Sequence, residues 1–281
     1  NDRGGIECDL TCMRVAQDEY YIVTGTGFAT HDFDWIARNI PAGMNAQLVD
    51  VTSAYAVLSL MGPRARDILE KVTRDDLSND SFRFGTARTI GIAGCPVRAL
   101  RVTYVGELGW ELHLPVEYAT TVYDALSEAG REFGLRDAGY RAIESLRLEK
   151  GYRAWGSDIG ADHTPAEAGL AWAVKLKKNI DFKGREAAEA QRDNGVKKIL
   201  ACFTADPDVV LSGRETIYRN GAQLASSVNQ SIGYGYVRSD EPIDRAHVLS
   251  GEYELEVATE RVPCAVHLAP LYDPGMERVK C

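Results

Sequence analysis

The chain has 281 residues, and its 45% hydrophobic and 26% charged residues are typical of a folded globular protein. A chain of this length usually forms about two domains. Lys and Arg together number 32 against 41 Asp and Glu, and the net charge of −9 disfavours binding to the phosphates of nucleic acids. No run of about 18 consecutive apolar residues occurs, so the sequence predicts no membrane-spanning helix.

The first half of the chain predicts a mixture of strands and helices. Short β-rich runs predict strands over 6–15 and 19–24, and a helix is expected over 31–40. Gly62-Pro63 favours the start of a second helix, because proline suits the first helical position. The apolar residues of this second helix share one face and are Ala65, Ile68, Leu69 and Val72.

The next predicted elements are a hairpin and two helices. Residues 95–113 predict the hairpin, with its turn at 106–109. The apolar face of the helix that follows carries Val122, Leu126, Ala129 and Phe133. A further helix is expected over 142–152.

From residue 197 onward the pattern is nearly all strand and turn. Asn220-Gly221 favours a tight type I′ hairpin turn, since both residues accept positive φ angles. We therefore expect a domain boundary at 190–196, between an α+β region over 1–192 and an antiparallel β domain over 197–281.

The six cysteines are scattered, without the C-x2-C spacing of structural zinc sites. They predict reduced thiols in a reducing compartment, namely the cytoplasm or, in a eukaryote, the mitochondrial matrix. The five histidines form no metal-ligand motif, and neither HExxH nor GxSxG occurs. The sequence therefore predicts no metal site and neither zinc-protease nor α/β-hydrolase chemistry.

A short glycine motif, Gly25-Thr26-Gly27, lies between a predicted strand and a predicted helix. It is similar to the start of a dinucleotide-binding motif, in which a third glycine lets helix and strand pack closely. Thr30 stands where that glycine belongs. The motif is therefore interpreted as a structural turn, and no nicotinamide or flavin site is predicted.

Asp9 is the first candidate site residue. It lies in the predicted strand that follows Gly4-Gly5, on the face opposite Cys8 and Leu10. Strand interiors are poor in aspartate, so this carboxylate needs a solvent-facing side, a hydrogen-bonding partner or a ligand. The sequence leaves these three possibilities open.

The predicted hairpin carries Tyr104 before its glycine-rich turn and Glu111 after it. A phenol and a carboxylate at one edge suit a heterocycle such as a pterin or a pyrimidine. A fixed carboxylate accepts hydrogen bonds from the adjacent N–H groups of such a ring. A glutamate that simply faces solvent also explains the pattern.

Further motifs accompany these two segments in a fixed order. They lie at 145–153, 155–158, 164–170, 182–185 and 270–274. With them, the chain resembles the glycine-cleavage T-protein (aminomethyltransferase) family over almost its whole length. The resemblance is closest to the folate-binding C-terminal region of dimethylglycine and sarcosine dehydrogenases.

The resemblance implies a tetrahydrofolate-dependent one-carbon transferase with an α+β fold, a cloverleaf of mixed modules with a C-terminal antiparallel β-barrel-like domain. Asp9 matches the family's acidic residue beside the reactive folate nitrogens. Tyr104 and Glu111 match its pterin-binding tyrosine and glutamate. The implied product is 5,10-methylenetetrahydrofolate, formed from a methylated amine or an aminomethyl donor, and the two carboxylates are expected to meet around one folate.

The chain departs from the family pattern at three places. The T-proteins of glycine cleavage carry Arg-Asp where this chain has Ile143-Glu144, and Arg147 is not the equivalent of their folate-tail arginine. The family's first residues are not present before Asn1, so the chain is expected to be part of a longer protein. Residues 226–230 look shorter than the family's glycine-rich hairpin.

Two functions therefore stay open at this point. The first is an enzyme, with a fused or associated FAD-dependent amine dehydrogenase as a partner and with FAD bound outside this chain. The second is a non-catalytic folate-binding or regulatory module of the same fold. The presence of Asp9 favours the enzyme.

Overall fold

The computed structural model describes residues 1–211, 213–226 and 232–281. Two compact units, each built from two separate stretches of chain, make up the protein. The barrel unit comprises Asn1–Asp9 and Leu148–Pro274, and the sheet unit comprises Leu10–Arg147 and Gly275–Cys281. The domain boundary predicted at 190–196 divides the sequence and not these two units, and it stays a proposal.

The described residues contain twelve strands and seven α-helices. The strands are β1 Thr11–Ala16, β2 Glu19–Val23, β3 Tyr55–Met61, β4 Ala87–Ile92, β5 Cys95–Leu100, β6 Gly109–Pro115, β7 Val196–Thr204, β8 Thr216–Arg219, β9 Ala222–Ser226, β10 Ile232–Ile243, β11 Tyr253–Val257 and β12 Glu260–His267. The helices are α1 Ala29–Arg38, α2 Ala65–Glu70, α3 Ala119–Gly130, α4 Tyr140–Lys150, α5 Arg185–Asn194, α6 Arg245–Leu249 and α7 Glu277–Lys280. No helix among these residues is both long enough and apolar enough to cross a membrane.

An antiparallel sheet in the order β3-β6-β5-β4 organises the sheet unit. Side chains alternate between its two faces, as the pleat requires. On β6, Trp110, Leu112 and Leu114 are fully buried in the core. Glu111 and His113 therefore lie on the opposite face of the sheet.

Two helices cover the core face of this sheet. α2 confirms the helix predicted after Gly62-Pro63, and its Ile68 and Leu69 are buried. α3 likewise confirms the next predicted helix, with Val122 buried against the same cluster. The apolar spacing along both helices therefore predicted the buried faces correctly.

The strand predicted over 6–15 begins only at Thr11 in the structure. The backbone of Ile6 is bound elsewhere: its N–H donates to the His163 carbonyl at 2.9 Å, and its carbonyl accepts from Trp155 Nε1 at 2.8 Å. Because these groups bind a loop of the barrel unit, residues 6–10 do not join the β1–β2 ladder. Asp9 therefore precedes a strand instead of lying inside one.

The barrel unit contains an antiparallel sheet in the order β10-β7-β12-β11-β8-β9. Its edge strands, β9 and β10, are consecutive in the chain and contact each other, so the sheet curls towards closure. Its core contains Phe203, Ile217, Val237 and Leu255. This curled sheet confirms the predicted β-barrel-like C-terminal region within an α+β fold.

The hairpin between β8 and β9 confirms the turn predicted at Asn220-Gly221. Arg219 pairs with Ala222 across it, and the φ angles of Asn220 and Gly221 are 50° and 79°. Such angles match a type I′ turn. Of the shortened segment predicted at 226–230, residues 227–230 lie outside the described residues.

Candidate functional site

Tyr104 lies in the connection between β5 and β6, and Glu111 lies in β6 itself. The two strands pair antiparallel, with Leu100 opposite Glu111, which confirms the predicted hairpin. The turn predicted at 106–109 is wrong in its bounds, because a bent loop over 101–108 joins the strands and Gly109 already belongs to β6. Hydrogen bonds anchor this loop at each of its two ends.

The loop anchors are a buried arginine and a backbone hydrogen bond. Arg101 is 1% exposed and donates to the carbonyl oxygens of Phe82 and, at 2.8 Å, of Cys281. Burial keeps the pKa of its guanidinium below the ordinary value. At the other end, the Gly62 N–H donates to the Leu108 carbonyl at 2.8 Å. The residues between these anchors are therefore carried on a wide loop.

Both predicted site residues of this unit are partly exposed. Tyr104, in the middle of the loop, is 36% exposed. The Glu111 side chain is 25% exposed and lies on the sheet face opposite the core. A phenol ring on the loop and a carboxylate on the strand that follows it are thus accessible to a ligand, while the ends of the loop are anchored.

A buried histidine lies beside Glu111. The side chain of His113 is 0% exposed, and its Nε2 is 3.5 Å from Glu111 Oε2. The two side chains are therefore within ion-pair distance of each other. His113 Nε2 nevertheless makes no hydrogen bond to any described residue. On the other side of the ring, Nδ1 is 3.3 Å from the Tyr21 hydroxyl.

Tyr21 links this histidine to an arginine. The Tyr21 ring meets the rings of His113 and Tyr55 edge-on, each with centroids 5.6 Å apart. The Arg98 guanidinium lies 4.2 Å from the Tyr21 ring centroid, which is a cation–π distance. Burial raises the pKa of Tyr21, and the charge and hydrogen bond of Arg98 oppose that rise.

Asp9 belongs to the barrel unit and is exposed. The segment before it is fixed: the Asn1 side chain donates to Glu7 Oε2 at 2.8 Å and to the Ala161 carbonyl at 3.2 Å. A Cβ on Gly5 would lie 1.8 Å from the Ala161 carbonyl oxygen, so only glycine allows this close approach. Asp9 thus follows an anchored segment, and its meeting with Glu111 around one folate stays a prediction.

Arg147 is unsuited to bind a folate tail from the surface. It is 2% exposed and forms an ion pair with Glu144 one helical turn earlier in α4. That Arg147 does not replace the missing family arginine stays a prediction.

Sequence reasoning missed Tyr21, Arg98 and His113. His113 stands two residues after Glu111 in a strand, so the period of two places both on one face, and this signal was available. Tyr21 is 92 residues away from His113, and no local pattern predicts that contact.

The arrangement in the sheet unit has a defined chemical capacity. An ionised carboxylate accepts hydrogen bonds and donates none. Its two oxygens match a pair of neighbouring N–H donors. Glu111 therefore suits a planar heterocycle with adjacent N–H groups, with Tyr104 close to it in the chain.

Two family models match the chain. "GCVT N-terminal domain" matches residues 1–178, and "Glycine cleavage T-protein C-terminal barrel domain" matches residues 198–273. The chain belongs to the glycine cleavage T-protein family. The structures agree, because the aminomethyltransferase T of Bartonella henselae has the same fold, with a TM-score of 0.81 at 23% identity over 98% of this chain and 74% of that one.

Relatives of this chain include two much longer dehydrogenases and an aminomethyltransferase. Mitochondrial sarcosine dehydrogenase of Mus musculus is 42% identical over all of this chain and 33% of its own length. Mitochondrial dimethylglycine dehydrogenase of Mus musculus is 36% identical over 99% of this chain and 33% of its own length. An aminomethyltransferase of Halothermothrix orenii is 36% identical over 85% of this chain and 68% of its own length. The chain thus spans about a third of the two dehydrogenases.

Proposed function

We propose that this chain is a tetrahydrofolate-dependent one-carbon transferase that forms 5,10-methylenetetrahydrofolate. The carbon comes from a methylated amine or an aminomethyl donor. The observation that carries the proposal is the position of Glu111, a partly exposed carboxylate on an anchored strand of a T-protein-family chain. The 36% identity to a protein named aminomethyltransferase supports the same reaction class.

In this proposal Tyr104 and Glu111 bind the pterin ring. The Glu111 carboxylate accepts hydrogen bonds from adjacent ring N–H groups, and the Tyr104 ring lies against the heterocycle. Two charge-assisted hydrogen bonds fix the orientation of the ring as well as its affinity. A fixed ring brings the reactive nitrogens to attack distance from the carbon, which lowers the entropic part of the barrier.

Asp9 is the proposed catalytic carboxylate. N5 of tetrahydrofolate attacks the carbon of an iminium ion or of formaldehyde, and N10 then displaces the amine or water to close the methylene bridge. The two N–H protons leave with that amine or water. A carboxylate beside these nitrogens stabilises the positive charge that develops on them and orients the attacking amine.

The wider setting of the chain follows from its relatives. We propose that it works as the folate-dependent part of, or together with, an FAD-dependent amine dehydrogenase that produces the one-carbon unit. FAD then binds outside this chain, and the partners within it are folate and the one-carbon donor. The mitochondrial names of the two dehydrogenases favour the mitochondrial matrix for a eukaryotic source and the cytoplasm otherwise.

The first experiment measures thermal unfolding of the 281-residue chain with and without tetrahydrofolate. A ligand that binds only the folded state adds about 2.7 kcal/mol at a hundredfold excess over its dissociation constant. The rate of 5,10-methylenetetrahydrofolate formation from formaldehyde is then compared with the uncatalysed rate. Stabilisation together with acceleration supports the transferase, and stabilisation alone supports a folate-binding module. If tetrahydrofolate neither stabilises the chain nor is converted faster, both hypotheses are contradicted.

Asp9→Asn tests the catalytic assignment. We expect turnover to fall by about a hundredfold or more while tetrahydrofolate affinity is largely kept, because the amide keeps the shape and loses the charge. The matched control is Asp18→Asn, which changes an exposed aspartate in the turn between β1 and β2. Unchanged turnover in Asp9→Asn would refute the assignment.

A further inference from the structure

A line of three side chains continues from Glu111 into the sheet unit. His113 Nε2 is 3.5 Å from Glu111 Oε2, and His113 Nδ1 is 3.3 Å from the Tyr21 hydroxyl. Arg98 lies over the Tyr21 ring at 4.2 Å. The line therefore runs from a partly exposed carboxylate, through a fully buried imidazole, to a phenol and a guanidinium.

The chemistry of these groups sets the direction of each contact. An ionised carboxylate has no proton to donate, so the His113 nitrogen facing Glu111 is the one that carries hydrogen. In a neutral imidazole the other nitrogen is then an acceptor, and it accepts from the Tyr21 hydroxyl. The ionised Glu111 thus fixes the His113 tautomer, and the Tyr21 hydroxyl donates to the other ring nitrogen and orients the ring.

A purely structural role does not explain this histidine. Burying a polar nitrogen without a hydrogen bond costs free energy, and His113 Nε2 makes no hydrogen bond to a described residue. Contacts within a binding site are often long before a ligand binds and shorten in the complex. The orphaned nitrogen is therefore aimed at the carboxylate that the ligand would engage.

We infer that His113, oriented by Tyr21, is a positioning residue that holds the Glu111 carboxylate in the geometry for binding the pterin ring. The inference rests on the proposed function, in which Glu111 accepts hydrogen bonds from tetrahydrofolate. His113 does not touch the ligand. Its effect on affinity passes through Glu111 and disappears when Glu111 is removed.

Tyr21→Phe is the first test, because it removes one hydroxyl and keeps the ring. We expect the tetrahydrofolate dissociation constant to rise by about three- to tenfold, the effect of one lost neutral hydrogen bond. The control is Tyr20→Phe, which removes the hydroxyl of the neighbouring tyrosine in β2, a 57% exposed residue. Equal affinities of the Tyr21→Phe and wild-type chains would overturn the inference.

A double-mutant cycle with Glu111→Ala separates positioning from a general structural effect. If Tyr21 acts through Glu111, Tyr21→Phe causes no further loss of affinity in the Glu111→Ala background. If Tyr21 only supports the fold, the loss is the same in both backgrounds, and the inference fails.

Replacement of His113 gives a second, independent measurement. Gln keeps an N–H donor and Leu does not, so His113→Gln should bind tetrahydrofolate more tightly than His113→Leu at matched thermal stability. Equal affinities of the two variants would contradict the inference. Failure of the wild-type chain to bind tetrahydrofolate overturns the proposed function as well, whereas a loss of affinity confined to Glu111→Ala overturns the inference alone.

Discussion

The two acidic residues proposed for the site have different surroundings. Glu111 is anchored in the middle of a sheet, one quarter exposed and beside a buried imidazole. Asp9 is exposed and follows a segment that is tied down at Gly5 and Ile6. A carboxylate fixed on a rigid strand suits ligand orientation, because its position costs little entropy on binding. An exposed carboxylate is accessible to a ligand, and in the proposed reaction it stabilises a transient positive charge.

The Glu111 assignment predicts the effect of losing one charge. Glu111→Gln should weaken tetrahydrofolate binding by about 10- to 100-fold, because hydrogen bonds to a charged group are worth more than neutral ones. Isothermal titration of tetrahydrofolate into the variant measures this loss. Glu117→Gln, at an exposed glutamate just beyond β6, is the matched control. Wild-type affinity in Glu111→Gln would remove Glu111 from the site.

At the scale of elements, the pairing of β6 with β3, just after the β5–β6 connection, requires a glycine at position 109. The sequence predicts that Gly106 and Gly109 both belong to the turn of the hairpin. The structure shows instead that Gly109 is buried where β6 begins, opposite Met61 of β3. A Cβ there would lie 2.5 Å from the Leu60 carbonyl oxygen and 2.3 Å from the sulfur of Met61. Gly109, which lies between Tyr104 and Glu111 in the chain, therefore permits the close approach of β6 to β3.

Gly109→Ala should therefore destabilise the fold and the site together. Forcing a methyl group against a backbone carbonyl costs about 1–3 kcal/mol. Thermal unfolding should show a clearly lower midpoint, and tetrahydrofolate binding should weaken in the folded variant. Gly139→Ala is the control, because a Cβ at that position would have no heavy atom of the described residues within 4 Å. Equal stability of the two variants would show that the strand approach is not limiting.

At the scale of the whole molecule, the cysteines lie in very different surroundings. None of the six forms a disulfide in the described structure. Cys12 is exposed, whereas Cys202 is 2% exposed in the barrel unit. Burial raises the pKa of the Cys202 thiol from 9.0 to about 11. The thiol is therefore protonated as well as covered, and both effects slow its reaction with electrophiles.

This difference predicts the order of thiol modification. At about pH 8, a thiol-reactive disulfide reagent should modify Cys12 quickly and Cys202 only when the barrel unit unfolds. Mass spectrometry of peptides from timed samples identifies the modified residues. All six cysteines should react in denaturant, which serves as the control. Modification of native Cys202 at the rate of Cys12 would contradict the buried position.

Features whose signals are local, or belong to the family, could be predicted from the amino-acid sequence. Apolar spacing predicted the buried faces of α2 and α3, and Asn220-Gly221 predicted a hairpin turn from the φ angles that both residues tolerate. The ordered motifs led to the T-protein family and to Asp9, Tyr104 and Glu111 as candidates, whose roles stay predictions.

The boundaries of strands and the contacts between side chains far apart in sequence were decided only by the tertiary structure. Ile6 leaves the predicted strand because its backbone binds Trp155 and His163, far along the chain. Tyr21 reaches His113 across 92 residues. Contacts of this kind depend on packing and on competition for hydrogen-bonding partners, and neither is encoded in the periodicity of a short segment.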